Sequence, residues 1–164
     1  MRTFPTKILL ASDSSDTAAH AMDLAVELCE QTGSQLHLVY VGEDAYSSAT
    51  LISPEAADLE GVAREDPVLI EQLQQQSDQM ARRVLDTEVQ KVREAGGTVA
   101  QAHLRMGKAD IEIVELAKEI DAGLLILGSR GSGIIKRALI GSVSDSVVRH
   151  AHCPVTVVRQ DKDE

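Results

Sequence analysis

Aromatic residues are nearly missing from this chain: Phe4, Tyr40 and Tyr46 are the whole set, and tryptophan is absent. Single-stranded nucleic acid is held largely by bases stacking on aromatic faces, so that class of partner finds no platform here. Basic charge is scarce too. Sixteen Lys and Arg stand against 26 Asp and Glu, a formal net charge of −10, and no block of cations is present to release counterions from a phosphate backbone. Composition therefore argues against nucleic acid. Cysteine occurs only as Cys29 and Cys153, far apart and without metal-ligand or CxxC spacing, which reads as two small buried hydrophobes in a reducing compartment. No apolar run approaches the roughly 18–20 residues that cross a bilayer. The opening MRTFPTKILLASD has too short an apolar run for a signal-peptide core. The expected location is the cytoplasm, without membrane insertion.

What is present is a globular mixture, 43% hydrophobic and 26% charged over 164 residues, enough for one core and one domain, 1–164. Short apolar runs alternate with helical patterns. KILLA (7–11), QLHLVYV (35–41), TVAQAHL (98–104), GLLIL (123–127) and PVTVVR (154–159) read as strands,. Between them, Ser14–Asp16 start a helix that Gly33 stops. Pro67 opens a long helix ending before Gly96-Gly97, with Leu69, Leu73, Met80 and Val84 as its expected buried stripe,. GKADIEIVELAKEID forms a third, with Ile111, Val114, Ala117 and Ile120 spaced for burial, and Ser142–His150 a fourth. Residues 42–66 break the rhythm and read as a long variable connection; the tail QDKDE reads as frayed. Five strands alternating with helices predict an α/β fold, an open five-stranded parallel sheet covered on both faces. Ligands of such sheets bind at the carboxyl ends of the strands, where the strand order reverses.

Of the loops at those ends, the one after the fourth strand is the most informative: GSRGSGIIKRALIGSVSDSVVRH. Gly128 and Gly131 are expected to turn the backbone and let its N–H groups approach an anion. Gly141-Ser142 opens a helix whose first N–H groups suit a phosphate. Arg130, Lys136 and Arg137 add positive charge. A structural alternative stands beside this: Ser142 with Asp145 matches a capping box, a purely local device. Likewise Asp13 by itself reads as an acid favouring the dipole of the first helix. No G-x-x-x-x-G-K-[ST] and no G-x-G-x-x-G after the first strand occur. The five histidines show no ligand spacing beyond His150-x-His152, where a helix-end role is expected,.

The spacing Gly128-x2-Gly131-x9-Gly141-Ser142 is similar to the G-x2-G-x9-G-[ST] pattern of the ATP-binding universal stress proteins. The opening KILLASDSSDTAAHAMDLAVELC and the ending RHAHCPVTVVR resemble that family as well, with 42–66 the least family-like stretch. The resemblance implies a strand order of 3-2-1-4-5, the adenine nucleotide alpha-hydrolase-like arrangement. It implies adenine-nucleotide binding in a regulatory protein of stress response or signalling. Asp13 would contact the nucleoside directly or through Mg2+, with Ala11, Ser12 and Val41 lining the adenine pocket. Gly128, Gly131, Gly141, Ser142, Val143 and Ser144 would cradle ribose and phosphate, with Arg130 meeting the phosphate charge. Ala11 departs from the proline often found at its position. The family commonly forms homodimers through the last strand, here Pro154–Arg159, and a protein partner would receive the signal.

Two alternatives stay open, cyclic AMP in place of ATP and slow hydrolysis of bound ATP. No catalytic residue is assigned. The loop ASDSSD lacks the HIGH-like or SGGxDS-like sequence of adenylyl-transferring relatives. A phospho-receiver domain is excluded, since the third strand ends in Leu104-Arg105-Met106 and offers no acceptor aspartate.

Overall fold

The computed structural model describes residues 5–44, 67–129 and 140–159. The elements follow the expected alternation: β1 (Lys7–Ala11), α1 (Asp16–Thr32), β2 (Gln35–Gly42), α2 (Pro67–Glu94), β3 (Val99–Met106), α3 (Ala109–Glu119), β4 (Leu124–Gly128), α4 (Ser142–His150) and β5 (Val155–Val158). The 42–66 connection lies outside the described residues beyond Asp44, as does the tail from Gln160 onward.

Local chemistry accounts for the boundaries. Ser15 caps α1, its hydroxyl accepting the Ala18 N–H at 3.2 Å, and Asp16 puts an acid in the first turn,. At the other end Gly33 takes φ 70° and returns its N–H to the Cys29 carbonyl, a left-handed stop that favours glycine,. Pro67 is the first residue of α2 and Gly96 (φ 87°) follows its end,.

All five strands are parallel and lie in the order β3-β2-β1-β4-β5. Alternation along the central strands divides the core in two. Ile8 and Leu10 of β1 and Leu36 and Leu38 of β2 face α1 and α2, packing on Ala21, Met22, Ala25, Val26, Leu85 and Val92,. Leu9, Ala11, Val39, Leu125 and Leu127 face α3 and α4, packing on Ile113, Val114, Leu116, Ala117 and Val147. The sheet is thus covered on both faces.

Three expectations are corrected. The buried stripe of α2 is Ala81, Leu85, Glu88 and Val92; Leu73 and Met80 are exposed, Leu69 and Val84 only half-buried. Met80 and Val84 each stand one residue, about 100° around the helix, from Ala81 and Leu85, which lie on the face that is buried,. In α3, Ile113, Val114, Leu116 and Ala117 are buried while Ile111 is exposed, because the helix presents its second turn to the sheet. The cysteines are half-buried beside the two clusters, and burial raises both thiol pKa values.

One pairing was invisible in the linear spacing of the histidines. His37 of β2 and His103 of β3 sit on neighbouring strands, where Val39 is level with His103, on the α3 face. Their rings stack 17° from coplanar with centroids 5.3 Å apart, and His37 Nδ1 lies 3.0 Å from His103 Nε2. A hydrogen bond there needs one nitrogen as acceptor, so it cannot survive with both rings protonated. Burial first, then the Lys7 charge, lowers the His37 pKa. Burial, His37 and Arg105 lower that of His103, against an opposing contribution from Glu119, which pairs with Arg105.

The unfolded chain therefore binds more protons than the native one near the ordinary histidine pKa. The stability contribution is complete above about pH 6.5 and is lost as pH falls below it. Urea midpoints measured between pH 8 and 5.5 are expected to decline, and a His37→Gln variant to show a flatter profile. Parallel profiles for the two proteins would refute this role of the pair.

Candidate nucleotide site

In the order β3-β2-β1-β4-β5 the chain moves outward on one side through β2 and β3, then returns to the other side of β1 through β4 and β5. The reversal point is the gap between β1 and β4, where Ala11 is level with Leu127. The loops that leave the carboxyl ends there are Ser12–Ser15 and the segment that begins at Gly128-Ser129. The fold thus brings Asp13 and the start of the glycine-rich segment to the one place where a parallel sheet splays its loops apart.

The far end of that segment is brought back to the same place. The Gly141 N–H donates to the Ser129 carbonyl at 2.6 Å, and the Ser144 hydroxyl donates to the same carbonyl at 3.0 Å. Ser129 itself is anchored through its N–H to Val158 of β5 at 2.7 Å. The N-terminus of α4 is therefore fixed beside the end of β4. Arg130, Gly131, Lys136 and Arg137 lie outside the described residues.

The capping-box alternative is not realised. Gly141 is the N-cap of α4 and supplies no side chain; Ser142 is the first helical residue and is exposed. Asp145 pairs with Arg149 one turn on, Oδ2 to Nε at 3.0 Å. The first backbone bond of the helix is made by the Asp145 N–H to the Gly141 carbonyl at 2.9 Å. The N–H groups of Ser142, Val143 and Ser144 precede it and have no carbonyl one turn back, which makes this end a place for an anion. The Ser144 side chain is buried and bonded inward, which leaves only its backbone facing this end of the helix.

Gly128 serves a different purpose from the turn expected of it. It is the last residue of β4, and a Cβ there would lie 2.8 Å from the Thr17 carbonyl carbon and 2.9 Å from the Ala18 nitrogen. It is glycine because the first turn of α1 rests on it. That contact sets the height of α1, and hence of Ser12–Ser15, above the sheet.

On the β1 side, Ala11 and Val41 belong to the same apolar cluster, Ala11 buried and Val41 half-buried. Asp13 is exposed, and its Oδ1 accepts the Ser15 N–H at 3.0 Å. Ser12 is buried and does not offer a free hydroxyl: it donates to Glu88 Oε2 at 2.6 Å. Ser14 donates to Glu88 Oε1 at 3.0 Å, and Lys91 Nζ donates to that same oxygen at 2.7 Å. Burial works to raise the Glu88 pKa, but the bonds from Lys91, Ser12 and Ser14, with the Lys91 charge, outweigh it and hold it below the ordinary carboxylate value,. No motif in the sequence marked Glu88, one of five acids in α2. Its one signal was an apolar period of α2, running through Ala81, Leu85 and Val92, that brings position 88 inward. His150 Nδ1 lies 2.8 Å from the Ser146 carbonyl in the last turn of α4, the helix-end role expected of it.

The model of the universal stress protein family matches residues 5–159. The chain belongs to the universal stress protein family. Universal stress protein YxiE of Bacillus subtilis is 30% identical over 153 residues, spanning 93% of this chain and 98% of that one. Among solved structures, universal stress protein UspA from Lactobacillus plantarum superposes with a TM-score of 0.72 at 28% identity, covering 96% of this chain and 100% of that one. Two further structures share the fold. A universal stress protein in complex with cAMP gives a TM-score of 0.63 at 21% identity, covering 95% of this chain and 98% of that one. An Arabidopsis thaliana family protein with AMP bound gives 0.59 at 23%, covering 97% and 94%.

Proposed function

We propose that this universal stress protein binds ATP in the gap between β1 and β4 and acts as a regulatory module, reporting its occupied state through a dimer. The observation that carries the reading is the start of α4: three backbone N–H groups without helical acceptors, no side-chain cap, and a bond from Gly141 to Ser129 that holds them at the strand reversal. The N–H groups of Ser142, Val143 and Ser144, with the Ser142 hydroxyl, would take the phosphates, and Gly131 and Arg130 would complete the cradle. Ala11 and Val41 would flank the adenine. Asp13 would receive the ribose hydroxyls, or share a Mg2+ with the phosphates. One carboxylate together with phosphate oxygens and water suits Mg2+, and no cluster of three ligating side chains occurs among the described residues.

The dimer would pair two copies along β5, the half-buried Val155–Val158, which is an edge of the sheet among the described residues,. Among the described helices none is long and apolar enough to cross a membrane, in keeping with a cytoplasmic module.

Mass spectrometry of small molecules released from the purified protein, then calorimetric titration with ATP and cyclic AMP, tests the site. Gly141 has φ −70° and ψ 163°, which a β-branched residue adopts freely, so Gly141→Val tests close approach of the ligand without straining the backbone. ATP is expected to bind, and the variant to lose at least about tenfold in affinity, roughly 1.4 kcal/mol. Equal binding by both proteins would refute the site. The family member with cAMP bound gives the second reading its support; binding of cyclic AMP alone would establish it. Sedimentation of the same samples is expected to show dimers, and a monomer at high concentration would remove the dimer from the proposal.

A further inference from the structure

We propose that the Glu88 carboxylate positions the loop Ser12–Ser15 and thereby fixes where Asp13 presents its carboxylate to a nucleoside. The inference rests on the nucleotide reading of the site and names the residue of α2 that organises it.

Glu88 is 1% exposed, a cost that a carboxylate bears only with its lone pairs occupied,. Here the occupants are the two serine hydroxyls on either side of Asp13, plus Lys91. An ionised carboxylate only accepts, so both hydroxyl protons must point at it. The direction of each serine is thereby set. Ser12 Oγ, its proton directed at Glu88, accepts the Ser14 N–H at 3.3 Å. Ser14 has φ 66°, a left-handed conformation that a residue bearing a Cβ holds only when its surroundings determine it,. The bond to Glu88 supplies that determination from a helix 74 residues further along the chain. With Ser12 and Ser14 both tied to one carboxylate, the intervening Asp13 has little freedom, and its own Oδ1 closes the turn onto the Ser15 N–H.

Two consequences separate this role from simple support of α2. First, the Ser12 and Ser14 hydroxyls both donate to Glu88, so the polar group the loop shows to a ligand is an acceptor, Asp13. Acceptors suit the vicinal hydroxyls of a ribose and repel a phosphate. Loss of Glu88 should then weaken the nucleoside part of the ligand and leave the phosphate contribution at α4 unchanged. Second, if Glu88 acts through Asp13, removing both residues should cost no more than removing Asp13.

The experiment is calorimetric titration of the full chain with adenosine, AMP and ATP, comparing the unsubstituted protein with Glu88→Ala, Glu88→Gln, Asp13→Ala and the Asp13→Ala/Glu88→Ala double variant. Each is first shown folded by circular dichroism at the titration temperature. Amide exchange at Ser14 and Ser15 is followed in parallel.

Glu88→Ala is expected to weaken all three ligands by one common factor, about tenfold, with the double variant no weaker than Asp13→Ala. Exchange at Ser14 and Ser15 should accelerate. Glu88→Gln keeps one acceptor oxygen and the side-chain volume, and should recover part of both losses. Unchanged affinity in Glu88→Ala, or losses that multiply in the double variant, would overturn the proposal. If the unsubstituted chain binds none of the three ligands, the nucleotide reading fails. The exchange rates then decide whether Glu88 fixes the loop: acceleration upholds that part and unchanged rates overturn it.

Discussion

Replacing Gly128 with alanine is expected to lower the thermal midpoint by roughly 5–10 °C, a large response to one methyl group. The added Cβ would meet the Thr17 hydroxyl, the Thr17 carbonyl carbon at 2.8 Å and the Ala18 nitrogen at 2.9 Å. Those last two are backbone atoms in the first turn of a helix, and that turn is capped by Ser15. They cannot rotate aside as a side chain would. Nor can β4 recede, because β1 and β5 hold it on both sides. The strain must lift the start of α1, which carries Ser12–Ser15 with it, so a weaker grip on any ligand of Asp13 should accompany the fall in stability.

Gly33→Ala is the control. Gly33 has φ 70° but open space where a Cβ would go, so its cost is the left-handed backbone alone, about 1 kcal/mol. Differential scanning calorimetry of the two variants is the measurement. A Gly128→Ala midpoint no lower than that of Gly33→Ala would show that the contact with α1 can relax.

The second large effect lies on α2, where two leucines in one helix should respond very differently. Leu85→Ala is expected to cost about 2–5 kcal/mol, because Leu85 is buried in the cluster formed by β1, β2, β4 and α1,. Leu73→Ala and Met80→Ala should each stay within about 0.5 kcal/mol, being 41% and 68% exposed,. Urea unfolding of the three variants decides the matter. Equal losses would mean that the outer turns of α2 are covered in solution, as the helical spacing of Leu69, Leu73, Met80 and Val84 suggested.

The difference between those two sets of residues shows how far the sequence could be read. Periodicity tells that α2 has an apolar stripe, but Leu73 and Met80 follow the same helical spacing as Leu85 and Val92. Met80 and Val84 lie one residue, about 100° around the helix, from Ala81 and Leu85, and which of the two stripes is buried depends on which one the packed elements meet,. The same holds for α3, where Ile111 was a good candidate by spacing and is exposed. The strands were easier. A central parallel strand is buried on both faces, so Ile8–Leu10 and Leu125–Leu127 appear as unbroken apolar runs that need no partner to be recognised,. Their ends drifted by a residue or two, which is how Gly128, expected in a turn, came to be the last residue of β4.

In the site the division is similar. The spacing of Gly128, Gly131, Gly141 and Ser142 pointed to the loop after β4, and Asp13 to the end of β1; the fold brings Asp13, Gly128 and Gly141 to the same strand reversal. The spacing could not choose between a capping box and an open helix start, because both use the same Ser-x-x-Asp. The choice fell to Gly141, which took the N-cap position and left Asp145 to Arg149.

What the sequence by itself determined, then, is much of what neighbours along the chain govern: the alternation of strands and helices, the Ser15 cap, the Gly33 stop and the loop that bears the glycines. Burial patterns and turn chemistry are local, and local chemistry is written in order. What only the tertiary structure decided are contacts between groups that sequence holds far apart: His37 with His103, Gly128 under Thr17, and Glu88 with Ser12 and Ser14. A polar side chain looks the same in a sequence whether water or a serine from another element satisfies it, and only the folded sheet brings those partners within hydrogen-bond reach.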